Sequence, residues 1–138
     1  MNVALLVILL LAASPVATAA PGDRTATALQ NCLDNPSNAA TSGQVDCEAA
    51  AEKNYDQRMN GAYASLLRAL PAKAAQQLRQ SQRSWLAFRD AETTAASEVF
   101  ATRQGTMYVP MQAGAATNIT RDRALQLESY LRIISIAP

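Results

Sequence analysis

Residues 41–70 read TSGQVDCEAAAEKNYDQRMNGAYASLLRAL, and the fold follows from this stretch. Val45, Glu48, Glu52, Tyr55, Met59, Ala62, Tyr63, Leu66 and Leu70 recur at steps of three and four residues, the period of one helix face. From Tyr55 onward that face is mostly apolar. Thr41-x-x-Gln44 has the form of a capping box, which would start the helix at Thr41. Pro71 ends the run and suits the first turn of another helix.

That next helix is expected from about Pro71 to Thr102, with Leu78, Trp85, Phe88, Ala95 and Val99 as its apolar stripe. The short junction predicts an antiparallel hairpin. A loop is expected from Gly105 to Gly114. The last helix is expected to start near Thr117 and to run through Ala124, Leu127, Leu131 and Ile134. Upstream, a short helical turn from about Thr25 to Leu33 is stopped by Asn35-Pro36-Ser37-Asn38. No stretch alternates like a strand. The fold class is all-α, a small bundle of three main helices with a clipped N-terminal segment.

The first 19 residues carry a different signal. Val3 to Ala13 is uncharged and apolar but far short of the ~20 residues a membrane-spanning helix needs. Ala17 and Ala19 follow it with the small-x-small spacing of a signal-peptidase site, so residues 1–19 read as a signal peptide. Residues 20–138 then form one helical domain, exported to the periplasm or secreted, with no membrane span left after cleavage. No cysteine follows the apolar run, so no lipid anchor is expected.

Cys32 and Cys47 are the only cysteines. In an exported protein an even count reads as a structural disulfide. In the loop-entropy picture, closing about 15 residues stabilises a fold by roughly 3 kcal/mol. A metal pair or a redox dithiol is the alternative, but two thiolates without histidine make a poor zinc site and the spacing is far from CxxC.

Charge and composition narrow the function classes. Twelve Lys+Arg stand against eleven Asp+Glu, a net +1, so the basic surplus of a nucleic-acid binder is missing. The absence of histidine removes the commonest general base and transition-metal ligand. Neither a GxGxxG nor a P-loop spacing occurs. Nothing in the sequence calls for a metal or a cofactor.

Three segments belong together. One is Asp56-Gln57-Arg58-Met59-Asn60-Gly61-Ala62-Tyr63, and another is Gln82-Arg83-Ser84-Trp85-Leu86-Ala87-Phe88-Arg89-Asp90. The third is Thr120-Arg121-Asp122-Arg123-Ala124, with Leu127 after it. With the flanking cysteines, this order resembles the family named for the N-terminal domain of the lysozyme inhibitor LprI, over about Asn31 to Leu131. The resemblance implies a small exported helical domain and a lysozyme (muramidase) as partner. It matches Cys32 and Cys47 to the family's first cysteine pair. The second pair has no counterpart, since Thr93 stands at one position and Ala115 or Ala116 at the other.

The same residues have plain structural readings. Gln82, Trp85 and Arg89 share a helix face, on which Trp85 would anchor the core and the polar pair would bond neighbouring helices. Asp56 or Asp90 could pair with an arginine across the hairpin. Asn60 and Tyr63 read first as an interhelix contact, and Thr120 as a helix-start residue. Glu48, Glu52 and Asp56 form a carboxylate stripe that reads as a solvated face. The 103–114 loop carries Arg103, Met107, Tyr108, Val109 and Met111, which either cover the end of the bundle or form a protein-binding patch, with Arg103, Met107 and Tyr108 as the candidate contacts.

Three functions follow from different classes. The first is a non-enzymatic inhibitor that blocks a lysozyme cleft, where two carboxylates act. Because c-type lysozymes are strongly basic and this chain is near neutral, whole-molecule attraction is expected to be small. The second is an envelope-associated interaction module with no lysozyme contact. The third is a carboxylate-only hydrolase, for which no nucleophile–base pair is visible. The oligomeric state is left open by the sequence.

Overall fold

The computed structural model describes residues 22–136; the expected signal peptide lies outside them. Four α-helices follow one another: α1 (Arg24–Leu33), α2 (Thr41–Ala69), α3 (Ala72–Ala101) and α4 (Tyr108–Ile134), with one 3-10 turn, Pro36–Asn38, between α1 and α2. No strand occurs among the described residues. The all-α class and the three main helices match the reading from sequence.

The closest helix pair is α2 with α4. Cys47, Ala51, Tyr55, Met59, Ala62 and Leu66 are buried along α2, and Thr117, Thr120, Ala124 and Leu127 along α4. Both sets follow the three-and-four spacing of a helix seam. The upper part of the seam is small-sided, with Ala51, Thr117 and Thr120, which lets the backbones approach. There the Thr117 hydroxyl lies 3.2 Å from the Glu48 carbonyl oxygen and 3.1 Å from that of Ala113. The two helices run parallel, since Glu48 meets Thr117 and Arg58 meets Glu128.

Two ties fasten α1 to this seam. The Cys32–Cys47 disulfide joins its end to the second turn of α2. At its start, Asp23 caps α1 by accepting from the backbone N–H groups of Thr25 and Ala26. The same carboxylate accepts from Arg58 Nη1 at 2.6 Å and from the Tyr55 hydroxyl at 2.8 Å. Arg58 also grips both oxygens of Glu128 on α4, each at 2.8 Å, so one guanidinium joins α1, α2 and α4. Hydrogen bonding to Glu128, with Asp23 adding to it, raises the Arg58 pKa. Burial pushes the Asp23 carboxyl up, but the bonds from Arg58 and Tyr55 outweigh it and leave it below its ordinary value. Burial and the bond to Asp23 push the Tyr55 phenol up to about 12.

Several local expectations need correction. Thr41 does not cap α2: Ala40 holds the cap position without a side-chain bond, and the Gln44 amide donates to the Ala39 carbonyl instead. The last helix starts at Tyr108 rather than near Thr117, so the segment expected as loop up to Gly114 is its first two turns. Pro110 is tolerated because it falls in the first turn, where a backbone N–H has no helical partner. Gly114 faces the Glu48 carboxylate, 3.2 Å from where a Cβ would sit, so it is a close-approach position and not a breaker. Thr120 is therefore mid-helix and buried. The stripe on α3 stops short: Ala75, Leu78 and Gln82 are buried, Trp85 is half-buried, and Phe88, Ala95 and Val99 are exposed. Beyond Trp85, α3 is an arm standing off the α2–α4 seam.

Two glycines of α2 respond oppositely to substitution. At Gly43 a Cβ would come within 2.7 Å of the Asn38 backbone, and at Gly61 it would meet nothing within 4 Å. Gly43→Ala should lower the unfolding free energy by about 1–3 kcal/mol, and Gly61→Ala should raise it by about 0.5–1 kcal/mol. Chemical denaturation of both variants checks this, and equal shifts would contradict the packing described.

The depressed Asp23 pKa has a defined pH signature. Stability from a lowered carboxyl is complete above its unfolded value, about 3.8, and is lost as pH falls through the folded value. Asp23→Asn should cost about 2 kcal/mol at neutral pH and flatten the stability profile below about pH 4. Thermal melts across that range read both effects.

Candidate functional site

The helix ends converge into two unlike poles. At the upper one, α3 passes through Thr102–Met107 into α4, and Gly105 takes a φ of +117°, which favours glycine. Arg103 and Met107 are exposed on this turn, and Tyr108 is half-buried in the first turn of α4. Val99, Met107, Val109 and Met111 are all more than half exposed. Of the two readings of this segment, cover for the bundle end fails for these side chains, which face solvent as an apolar tip.

Behind the tip, the stand-off of the α3 arm leaves a groove. An apolar section of about 320 Å³ is lined by Val45, Ala96, Val109, Ala113, Ala116 and Ile119. A polar section of about 440 Å³ carries Glu52, Arg89, Asp90, Thr93 and Thr120. Thr93 and Ala116 line both sections, so the two form one continuous groove. Glu48 Oε2, on the α2 side, is buried without a hydrogen-bond partner.

The motif residues form a junction below the groove. Arg123, only 5% exposed, donates from Nε to Gln82 Oε1 at 2.9 Å, from Nη1 to Gln126 Oε1, and from Nη2 to Ser81 Oγ at 3.2 Å. The Gln82 amide in turn donates to Met59 Sδ at 3.7 Å. Trp85 packs beside this network, with the Arg89 and Arg123 guanidinium carbons 5.4 and 6.0 Å from its ring centre. Among the described residues Arg123 forms no ion pair, and burial holds its pKa below the ordinary arginine value. Arg89 does not bridge helices as expected, since it binds the adjacent Asp90 at 2.8 Å. Asp56 does not cross the hairpin either; it accepts from Asn60 one turn on at 2.9 Å. Tyr63 is half-buried against the core.

Sequence reasoning missed the charge distribution. Residues 22–56 and 86–122 make up the upper half and hold ten carboxylates against five cations, a net −5. Residues 57–85 and 123–136 make up the lower half and hold seven cations against one carboxylate, a net +6. The near-zero total hides a molecule that is acidic at one pole and basic at the other. Among the described residues no group of three or more His, Cys, Asp or Glu could hold a metal ion.

These features define a class: a small helical domain, clipped by one disulfide, with an exposed apolar tip above a groove. The model of the family described as Lysozyme inhibitor LprI matches residues 32–127, and the chain belongs to that family. The chain is also similar to the crystal structure of an uncharacterized protein from Burkholderia thailandensis, with 33% identity and a TM-score of 0.74. That match covers 80% of this chain and 54% of the other, so it spans about half of the Burkholderia protein. No curated protein matches.

The Arg123 junction yields a double-mutant test. Arg123→Met should cost about 1–3 kcal/mol by leaving the Gln82 carbonyl without its donor. Adding Gln82→Leu should recover part of that loss, giving a coupling of about 1–2 kcal/mol in denaturant unfolding. Strict additivity would mean the bond holds nothing together.

Proposed function

We propose that the chain, exported and beginning at Ala20, is a non-enzymatic protein that inhibits lysozyme-type muramidases by docking its upper pole over the enzyme cleft. The observation that carries this reading is the exposed apolar tip of Val99, Met107, Val109 and Met111 set in a half-molecule of net −5. Apolar side chains without a partner on a small protein mark an interaction site. Met107 and Tyr108 supply adaptable contact area, and Arg103 is the single cation of the connecting turn. An arginine suits a cleft that works through two carboxylates, while the surrounding acidic surface draws in a basic enzyme. Family membership supports the choice of partner by analogy.

Titration of c-type lysozyme with the disulfide-bonded protein should give saturable inhibition at stoichiometric ratios. Arg103→Glu and Met107→Ser should each weaken it roughly tenfold or more. Raising salt from about 0.05 to 0.5 M should slow association. Full inhibition by both variants would remove the tip from the mechanism. No inhibition of c-, g- or i-type enzymes would leave the envelope-module function in its place.

A further inference from the structure

The lower pole is built differently from the tip. Here the ends of α2 and α4 meet the start of α3 around an open hollow of about 360 Å³, walled by Leu70, Ala74, Leu78, Tyr130, Ile133 and Ile134. Ile133 is 60% exposed, Ile136 72%, and Tyr130 and Ile134 about 40%. Arg68 and Arg132 sit in the last turns of α2 and α4, Lys73 lies in the first turn of α3, and Arg79 and Arg83 follow on the same helix. All five are exposed, and none forms an ion pair among the described residues. From Leu66 to Trp85 the sequence contains no carboxylate.

We infer that this pole docks on the surface of an anionic phospholipid bilayer. Charge complementarity selects an anionic partner, because these five exposed cations meet no carboxylate between Leu66 and Trp85. The exposed isoleucines and Tyr130 choose among anionic partners. A soluble polyanion offers them nothing, whereas a bilayer places an apolar phase directly beneath its charged headgroups. Tyrosine beside aliphatic side chains, with Arg and Lys around them, is the composition of a membrane-interface contact. Among the described residues no helix is long and apolar enough to cross a membrane, so the contact is peripheral. Docked this way, the long axis of α2 and α4 carries the acidic tip away from the lipid. This geometry does not depend on what the tip binds.

Co-sedimentation of the chain beginning at Ala20, which holds every described element, tests the inference. At about 0.05 M salt it should partition onto vesicles with about one-third phosphatidylglycerol, and roughly tenfold less onto phosphatidylcholine vesicles or at about 0.5 M salt. The triple variant Arg68→Gln/Lys73→Gln/Arg132→Gln should lose roughly tenfold or more. Ile133→Ser/Ile134→Ser should lose binding as well, while Met107→Ser should match the parent. Each variant is accepted only with unchanged helical circular dichroism and melting. Failure to bind the anionic vesicles, or binding indifferent to the triple variant, would overturn the inference. Retention of polyglutamate without retention of vesicles would assign the pole to an acidic protein and overturn it equally.

Discussion

The close seam between α2 and α4 is the constraint on which the remaining architecture depends. Small side chains at its upper end bring the two backbones near enough for Thr117 to reach the Glu48 carbonyl. Lower down, Tyr55, Met59, Leu66 and Leu127 fill the space and are almost fully buried. A chain of this size has little apolar surface to bury, so the seam takes most of it. The other helices add fewer apolar contacts, Leu29 from α1 and Leu78 and Trp85 from α3, and are further held by specific bonds: α1 by the disulfide and the forked Arg58, α3 by the bonds of Arg123 to Gln82 and Ser81.

That division of labour explains the two poles. Because α3 is fastened only over its first turns, its outer half stands away from α4 and leaves a groove behind the tip. The tip is exposed for the same reason, since no other element among the described residues caps it. At the opposite pole the helix ends leave a hollow with isoleucines at its rim. The acidic and basic halves lie along the same axis, so each pole presents apolar groups in a field of one sign.

Much of this was legible in sequence because it is local. The α2 periodicity, the break at Pro71 and the paired cysteines fix the helices and the clip within a few residues of each other. The start of α4 was hidden because Pro110 and Gly114 look like breakers, and only their places in the first turn and against Glu48 make them helical. The Arg58 clamp was invisible for another reason: its carboxylates lie 35 and 70 residues away. Phe88 and Val99 fit a buried stripe, yet burial needs a partner surface that α4 does not bring close enough. The polarity could not be read from a net +1, because a sum carries no positions.

The molecule is thus a firm two-helix seam carrying a loosely fastened arm that ends in an exposed apolar tip. Amide hydrogen exchange tests this arrangement most directly, on the free protein and with c-type lysozyme added. Strong protection is expected across residues 51–66 and 117–131, and fast exchange across 86–101. Lysozyme should then slow exchange over 86–111 and leave 66–83 unchanged. Uniform protection along all of α3, or slowing confined to the lower pole, would contradict it.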